Sequence, residues 1–416
     1  MLASAEQETE VGRNHPLALR IGIIAFLNQA ITVGCIWGSF SSLLKANEAR
    51  LGIDREMSTL AIPLMMLIFA GLAPVVGILA TKYPMRIVTL SGSILSAAGF
   101  LVLALTNSYP FYLAAFGLLL GPGLAVATVM PSTLVTRWFN VNRGRALGFA
   151  NIPAIFPLMP LGATWALHAY GVQLTYLMLA CLAMVTVIAN LFISDPPAAA
   201  TGAAPASVDT VVARGSSMIG VTPLLGLLRN KSFWILAIGA NVAIIGSLIL
   251  TTHMVPMAIS WGNTATAAAT LQTAFSLVSL AGPIFFGWLT DKLGGPLTLA
   301  LLVLDSAVLW GLLLVRPSFS VLLVIFAMIG FHAVGAAPTL SMSLSEVFEK
   351  KDFSRAYGMA NLVALPFTVV SVPIASFIFM KSGSYYGVIL MVVSVCVVAF
   401  PVVLSVRRTP RLPVVG

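Results

Sequence analysis

Thirteen acids and four histidines are spread over 416 residues, and only a few of them fall where the chain is apolar. Those few are the candidates for chemistry. Asp305 stands in "ALLVLDSAVLW", His332 in "GFHAVGAAP" and His253 in "LTTHMVP". The apolar runs otherwise carry amides and hydroxyls: Asn28, Gln29 and Thr32 early, Asn151 later, then Asn241, Gln272 and Asn361. An ionised carboxylate alone in an apolar medium is too costly to persist, so Asp305 must be protonated, paired or turned inward. An imidazole changes charge near neutral pH, so His332 and Asp305 are candidates to carry a proton. Such a set can hold a solute by hydrogen bonds. It does not suit an enzyme, because the chain has no His-Glu-x-x-His, no Gly-x-Ser-x-Gly and no cluster of metal ligands. Nor does it have the Gly-x-x-x-x-Gly-Lys-(Ser/Thr) loop that would bring ATP to it. No cofactor and no metal are expected.

The elements that position these residues follow from composition. Hydrophobic residues make up 59% of the chain, charged residues 8%, and the mean hydropathy is +1.01. Soluble domains run at about 45–50% apolar and about 25% charged. So few charges cannot cover a water-facing surface of this size. Apolar runs of about 18 residues or more read as membrane spans, and the sequence predicts an all-α integral membrane protein with twelve. They cover 19–44, 58–80, 87–106, 110–135, 145–168, 172–194, 231–256, 264–290, 296–315, 318–345, 355–380 and 384–405. The Ala-, Pro- and Ser-rich stretch 195–230 reads as a linker between two six-helix bundles, 19–194 and 231–405. "TPLLGLLRNKSFW" (222–234), leading into the seventh span, reads as a short interfacial helix. Residues 1–18 and 406–416 are expected to be tails, the first too polar for a cleavable leader. Cys35, Cys181 and Cys396 all lie in apolar runs and read as small hydrophobes. Trp37 and Trp261 fall near span ends, as interfacial anchors do.

The basic residues orient this arrangement. With both termini in the cytoplasm, 17 Lys and Arg fall inside and five outside. That bias orients the chain with both ends in the cytoplasm, and the short tails and linker lead to the expectation of a plasma membrane of the bacterial inner-membrane type. The formal charge of +9 is therefore not a nucleic-acid footprint.

The chain also repeats itself. "RALGFANIPAI" (145–155) returns as "RAYGMANLVAL" (355–365), six of eleven positions identical, 210 residues apart. Shifting spans two to five by 210 lands close to spans eight to eleven. Gly77 in "GILATKYPMR" and Gly287 in "GWLTDKLGGP" keep the same offset. Two parallel halves related by an axis along the membrane normal are the plan of alternating-access carriers. Small residues such as Gly148 and Gly358 would let helices meet closely. Arg145 and Arg355 would stand at the cytoplasmic mouth, with Asn151 and Asn361 about two turns inside.

The Gly77 and Gly287 loops resemble the major facilitator superfamily signature, Gly-x-Leu-x-Asp-(Arg/Lys)-x-Gly-(Arg/Lys). The second copy keeps Asp291 and Lys292, whereas the first has Thr81 in place of the Asp. The resemblance implies a pseudo-two-fold fold of two six-helix halves and a gating role for Gly77, Arg86, Arg143, Arg145, Gly287, Asp291, Lys292 and Arg355. It implies that Asp291 braces the start of span five near Arg143 or Arg145, and that Thr81 weakens the mirror-image contact. It also implies that spans one, four, seven and ten line the cavity. Asn28, Gln29, Asn241, His253 and His332 would then face substrate, with Thr32, Asn151, Gln272 and Asn361 as further contacts.

Within that superfamily, "ILATKYPMRIV" (78–88), "GLLLGPGLAVATVMPS" (117–132) and "RWFNVNRGRALGFAN" (137–151) are similar to the monocarboxylate transporter and oxalate–formate antiporter group. This implies a secondary transporter for a monocarboxylate-type anion, working as a monomer by proton symport or exchange. The basic residues that group uses are replaced by Gly38, Gly282–Pro283 and Ala364. A carrier or efflux pump for a neutral or cationic solute, or an uncoupled facilitator or sensor, is the alternative.

Overall fold

The computed structural model describes residues 17–195 and 226–406. The tails, most of the expected linker and the start of the interfacial helix lie outside the described residues. Ten helices among the described residues are long and apolar enough to cross a membrane. An eleventh crossing is a bent pair, Thr270–Ser279 and Gly282–Leu293, meeting at 43°. The twelfth is hidden inside Met159–Asn190, where Gly171 adopts φ 79° and ψ 174° and ends one pass before the next begins. Positive φ with ψ this extended suits glycine alone.

The remaining crossings are Ala18–Leu51, Met57–Lys82, Met85–Leu105, Tyr109–Trp138, Lys231–Ser260, Gly295–Val315, Phe319–Val347, Lys350–Ser382 and Tyr386–Leu404. Their ends carry local signals. Gly52 and Gly383 close the first and eleventh spans in the left-handed region. Asn230 and Thr264 cap the seventh and eighth, their side chains accepting from the Ser232 and Ala267 N–H groups. Twelve crossings bring Leu17 and Val406 to one side, called here the terminal face; the other is the distal face.

The fifth span departs from the unbroken 145–168 expected from hydropathy. It is helical over Arg143–Ala150, unwinds through 151–158, and resumes at Met159. Pro153 and Pro157 explain this, since each lacks an N–H and crowds the carbonyl four residues back, and Pro160 suits the first turn of the helix that resumes. Beyond the break the span stays with its own half. Met159 lies over Gly38, and the Pro160 carbonyl accepts from the Ser42 hydroxyl. Irregular backbone at membrane depth is tolerated only inside protein or along a cavity.

One buried cluster lies within the first half, and a larger one joins the terminal-face part of the first half to the second. Phe100, Tyr112 and Met65 anchor one region, and Trp310, Phe326 and Phe233 another, all fully buried. Gly246 of the seventh span leaves the notch that the Trp310 indole fills, because an added Cβ would overlap the ring.

Candidate functional site

The two halves meet through small residues at the terminal face. The second span packs on the eleventh: Gly77 lies against the Ser354 carbonyl and Gly358 against that of Ala73. The fifth packs on the eighth in the same way, with Gly144 against the Gly287 carbonyl and Gly148 against that of Pro283. A methyl group at any of the four would overlap backbone. Close approach of this kind replaces the hydrophobic drive that helices lack in lipid.

Asp291, at the end of the eighth span, caps this contact. The Gly144 N–H donates to its Oδ1 at 2.5 Å and the Arg145 N–H to its Oδ2 at 2.9 Å. The Arg145 guanidinium lies 3.9 Å away and is half-exposed. The carboxylate therefore sits on the N-terminus of the Arg143–Ala150 helix, where unpaired N–H groups and the helix dipole both favour a negative charge. Arg143 is buried, and its Nε donates to the Phe139 carbonyl at 3.2 Å. At the mirror position Arg355 donates to the Thr81 hydroxyl at 3.1 Å and pairs with Asp352 at 3.3 Å. The second-half acid thus bridges the halves, whereas Thr81 offers only a neutral acceptor. Arg86 and Lys292 are exposed at this face, Lys292 over the Trp288 ring at 4.3 Å.

One layer deeper, hydroxyls and an amide continue the seam. The Ser341 hydroxyl of the tenth span donates to that of Ser132 of the fourth at 3.2 Å. The buried Tyr357 side chain of the eleventh lies beside both. Asn151 adds its amide to Ser132 at 3.3 Å and to the Leu147 carbonyl at 2.8 Å. Closer to the surface, Lys350 donates to the Asn140 side chain at 2.8 Å, two positions 210 residues apart. Ser132, Ser341 and Tyr357 were not anticipated from sequence. Their signal was available in the repeat, since Ser132 and Ser341 stand 209 residues apart, one short of its offset.

The intramembrane polar residues divide by helical phase. Asn28 and Thr32 face the interior of the first half, almost fully buried. Asn28 donates to Asn190 at 2.7 Å and accepts from Ser93 at 3.1 Å, while Asn190 donates to Ser93 at 2.7 Å. This cluster ties spans one, three and six together, so the Asn28 amide is consumed inside the bundle. Gln29, about 100° further round the helix, lies on an accessible stripe with Phe26, Val33 and Trp37, and its buried Oε1 has no partner. Asn241 is buried and donates to the Ala237 carbonyl at 2.7 Å. Gln272 and Asn361 are partly buried; Asn361 donates to the Tyr357 carbonyl at 2.8 Å.

The histidines are both engaged. His253 reaches the Tyr385 hydroxyl through Nδ1 at 3.2 Å and the Ser376 hydroxyl through Nε2 at 3.1 Å. His332 is fully buried, its Nδ1 3.1 Å from Asp305 Oδ2 of the ninth span, and its Nε2 has no partner. Asp305 is thus paired, across two helices of one half, and its side chain stays 41% exposed.

A profile of the Major Facilitator Superfamily matches residues 23–260 and again 236–415. The chain belongs to that superfamily. Among its relatives, monocarboxylate transporter 13 of Rattus norvegicus is 23% identical over 318 residues, covering 75% of this chain and 71% of that protein. The oxalate:formate antiporter of Oxalobacter formigenes is 25% identical over 330 residues, covering 77% and 75%. Of solved structures, the major facilitator superfamily transporter FucP in its outward conformation superposes with a TM-score of 0.72 at 13% identity, over 93% of this chain and 99% of that one. The human organic anion transporter MFSD10 gives 0.71 at 12% identity, over 94% and 100%. These last two likenesses concern the fold. As a major facilitator transporter, the protein moves a small solute across a membrane it crosses many times, and it is not an enzyme.

Proposed function

We propose that this transporter carries a small monocarboxylate-type acid by alternating access, together with one proton, as a monomer in a plasma membrane of the bacterial inner-membrane type. The terminal face is then cytoplasmic, as the excess of Lys and Arg there supports. The seam of Asp291, Gly144, Gly148, Gly77 and Gly358 is its inner gate, closed here.

The relatives named for monocarboxylate and oxalate–formate transport support an acid as solute. The span cores hold no Lys or Arg, so a bare carboxylate would find no counter-charge. The acid accompanied by its proton removes that difficulty, because the pair is neutral. Gln29 suits it: a carboxamide presents one acceptor and two donors, and an undissociated acid presents an O–H and a C=O in complementary places. The orphaned Gln29 Oε1 is the observation that carries this reading. Gln272 and Asn361 are proposed as further contacts, and Asp305 with His332 as the pair that takes up the proton before the acid receives it and after the acid gives it up. Thr32, Asn28 and Asn241 are proposed to support the cavity from behind. The engaged histidines and the positions Gly38, Pro283 and Ala364 favour a neutral, hydrogen-bonding solute as the second reading.

Uptake into proteoliposomes distinguishes the two. With an inwardly directed proton gradient, short monocarboxylates should accumulate, in proportion to the undissociated fraction outside. Asp305→Asn should abolish accumulation while leaving solute exchange at equal pH intact. Accumulation of uncharged solutes alone, indifferent to the gradient, would replace the acid by the neutral solute.

A further inference from the structure

A second site lies outside the transport path, on the lipid-facing flank of the second half. The start of the seventh span and the end of the twelfth enclose a groove of about 520 Å³, within the size range of small-ligand sites. Trp234, Ile238 and Val242 form one wall at four-residue spacing, and Val395, Ala399 and Val402 the other. Ser394 is the one lining residue with a polar side chain beyond the indole of Trp234, and that indole N–H is turned out of the groove to the Leu228 carbonyl at 2.7 Å. Gly239, with no side chain of its own, lets the two helices approach, since a Cβ there would overlap the Val403 side chain. Val398 and Val402, on the rim, are open to the membrane.

The charge at its mouth identifies the occupant. Lys231 stands one turn before both Trp234 and Ile235 on the same helical face, and Arg229 just precedes it; both are exposed. Long basic side chains at a helix end reach the headgroup layer, and clustered cations at that level attract anionic lipids. An apolar slot below a pair of cations fits one chain of an anionic glycerophospholipid, with the phosphate between Arg229 and Lys231. We infer that this groove is a binding site for an anionic phospholipid of the cytoplasmic leaflet, on the twelfth-span side of the seventh helix. The leaflet assignment rests on the orientation proposed above; the site itself does not.

Native mass spectrometry of the protein released from detergent, after incubation with equal phosphatidylglycerol and phosphatidylcholine, tests the site without requiring transport. Wild type should retain phosphatidylglycerol preferentially. Arg229→Gln with Lys231→Gln should reduce that preference by about fivefold per removed cation yet keep some lipid. Ala399→Trp, which fills the slot, should retain neither lipid, and Val398→Trp at the more open rim serves if the first variant fails to fold. Melting of each variant in lipid-free detergent should match wild type. Equal retention of both lipids by wild type, unchanged retention in the filled variant, or a dimer in place of a lipid adduct would each overturn the inference. Transport failing in proteoliposomes while lipid selectivity persists would sink only the transport reading.

Discussion

Asp291→Asn isolates the proposed inner gate in a single atom. The carboxylate accepts two backbone N–H groups of the opposite half, from Gly144 and Arg145, and its side chain is 13% exposed. Hydrogen bonds to a charged group contribute about 1.5–3 kcal/mol each, and the field of a helix N-terminus adds about 0.3–1 kcal/mol. Asparagine keeps one neutral acceptor, so the net loss is about 2 kcal/mol, or roughly 30-fold in the ratio of closed to open gate. Folding of each half is little affected, because the contact joins the halves rather than building either. The readout is Ser354→Cys in a background without Cys35, Cys181 and Cys396. Ser354 is fully buried against Gly77 in the closed seam, and a water-soluble maleimide reaches it only when the gate opens. Labelling should accelerate by about an order of magnitude or more in Asp291→Asn. An unchanged rate, with the variant folded, would refute the argument that Asp291 holds the gate.

Three further outcomes follow from the same geometry. Thr81→Asp gives Arg355 a second carboxylate where it now has a hydroxyl at 3.1 Å; labelling at Ser354→Cys should slow and solute exchange should slow with it. Gly148→Ala places a methyl on the Pro283 carbonyl, so the seam should stay open, labelling should rise and net uptake should fall, measured side by side in vesicles. Asn28→Leu leaves Asn190 and Ser93 short of a partner, costing about 1–3 kcal/mol; the melting temperature should drop while the KM of the transported solute stays put.

The architecture was legible in the sequence because hydropathy and a 210-residue repeat both report on whole helices. The Asp291 contact was legible too, since a short motif carries its own chemistry and the repeat says which helix lies opposite. Detail at the level of one residue was not. Asn28 and Gln29 are neighbours in sequence, yet one is spent inside the bundle and the other lies on an accessible face. Hydropathy cannot tell a bundle interior from a cavity, because both tolerate amides. The break at 151–158 was missed for a related reason: Pro153 and Pro157 are as apolar as their neighbours, and only their missing N–H groups mark the place. Asp305 announced that it needed a partner, but the sequence did not say that His332 on the adjacent span would supply it.

The most direct test of the account is a pair of spin-label distances across the two halves. One pair, Arg86→Cys with Lys292→Cys, reports the terminal face, and the other, Lys45→Cys with Arg316→Cys, reports the distal face; all four positions are exposed. On adding a transported solute, the terminal distance should lengthen in the same fraction of molecules in which the distal distance shortens. Both distances moving in the same direction, or neither responding to a solute that the protein demonstrably carries, would contradict a gate that alternates between the two faces.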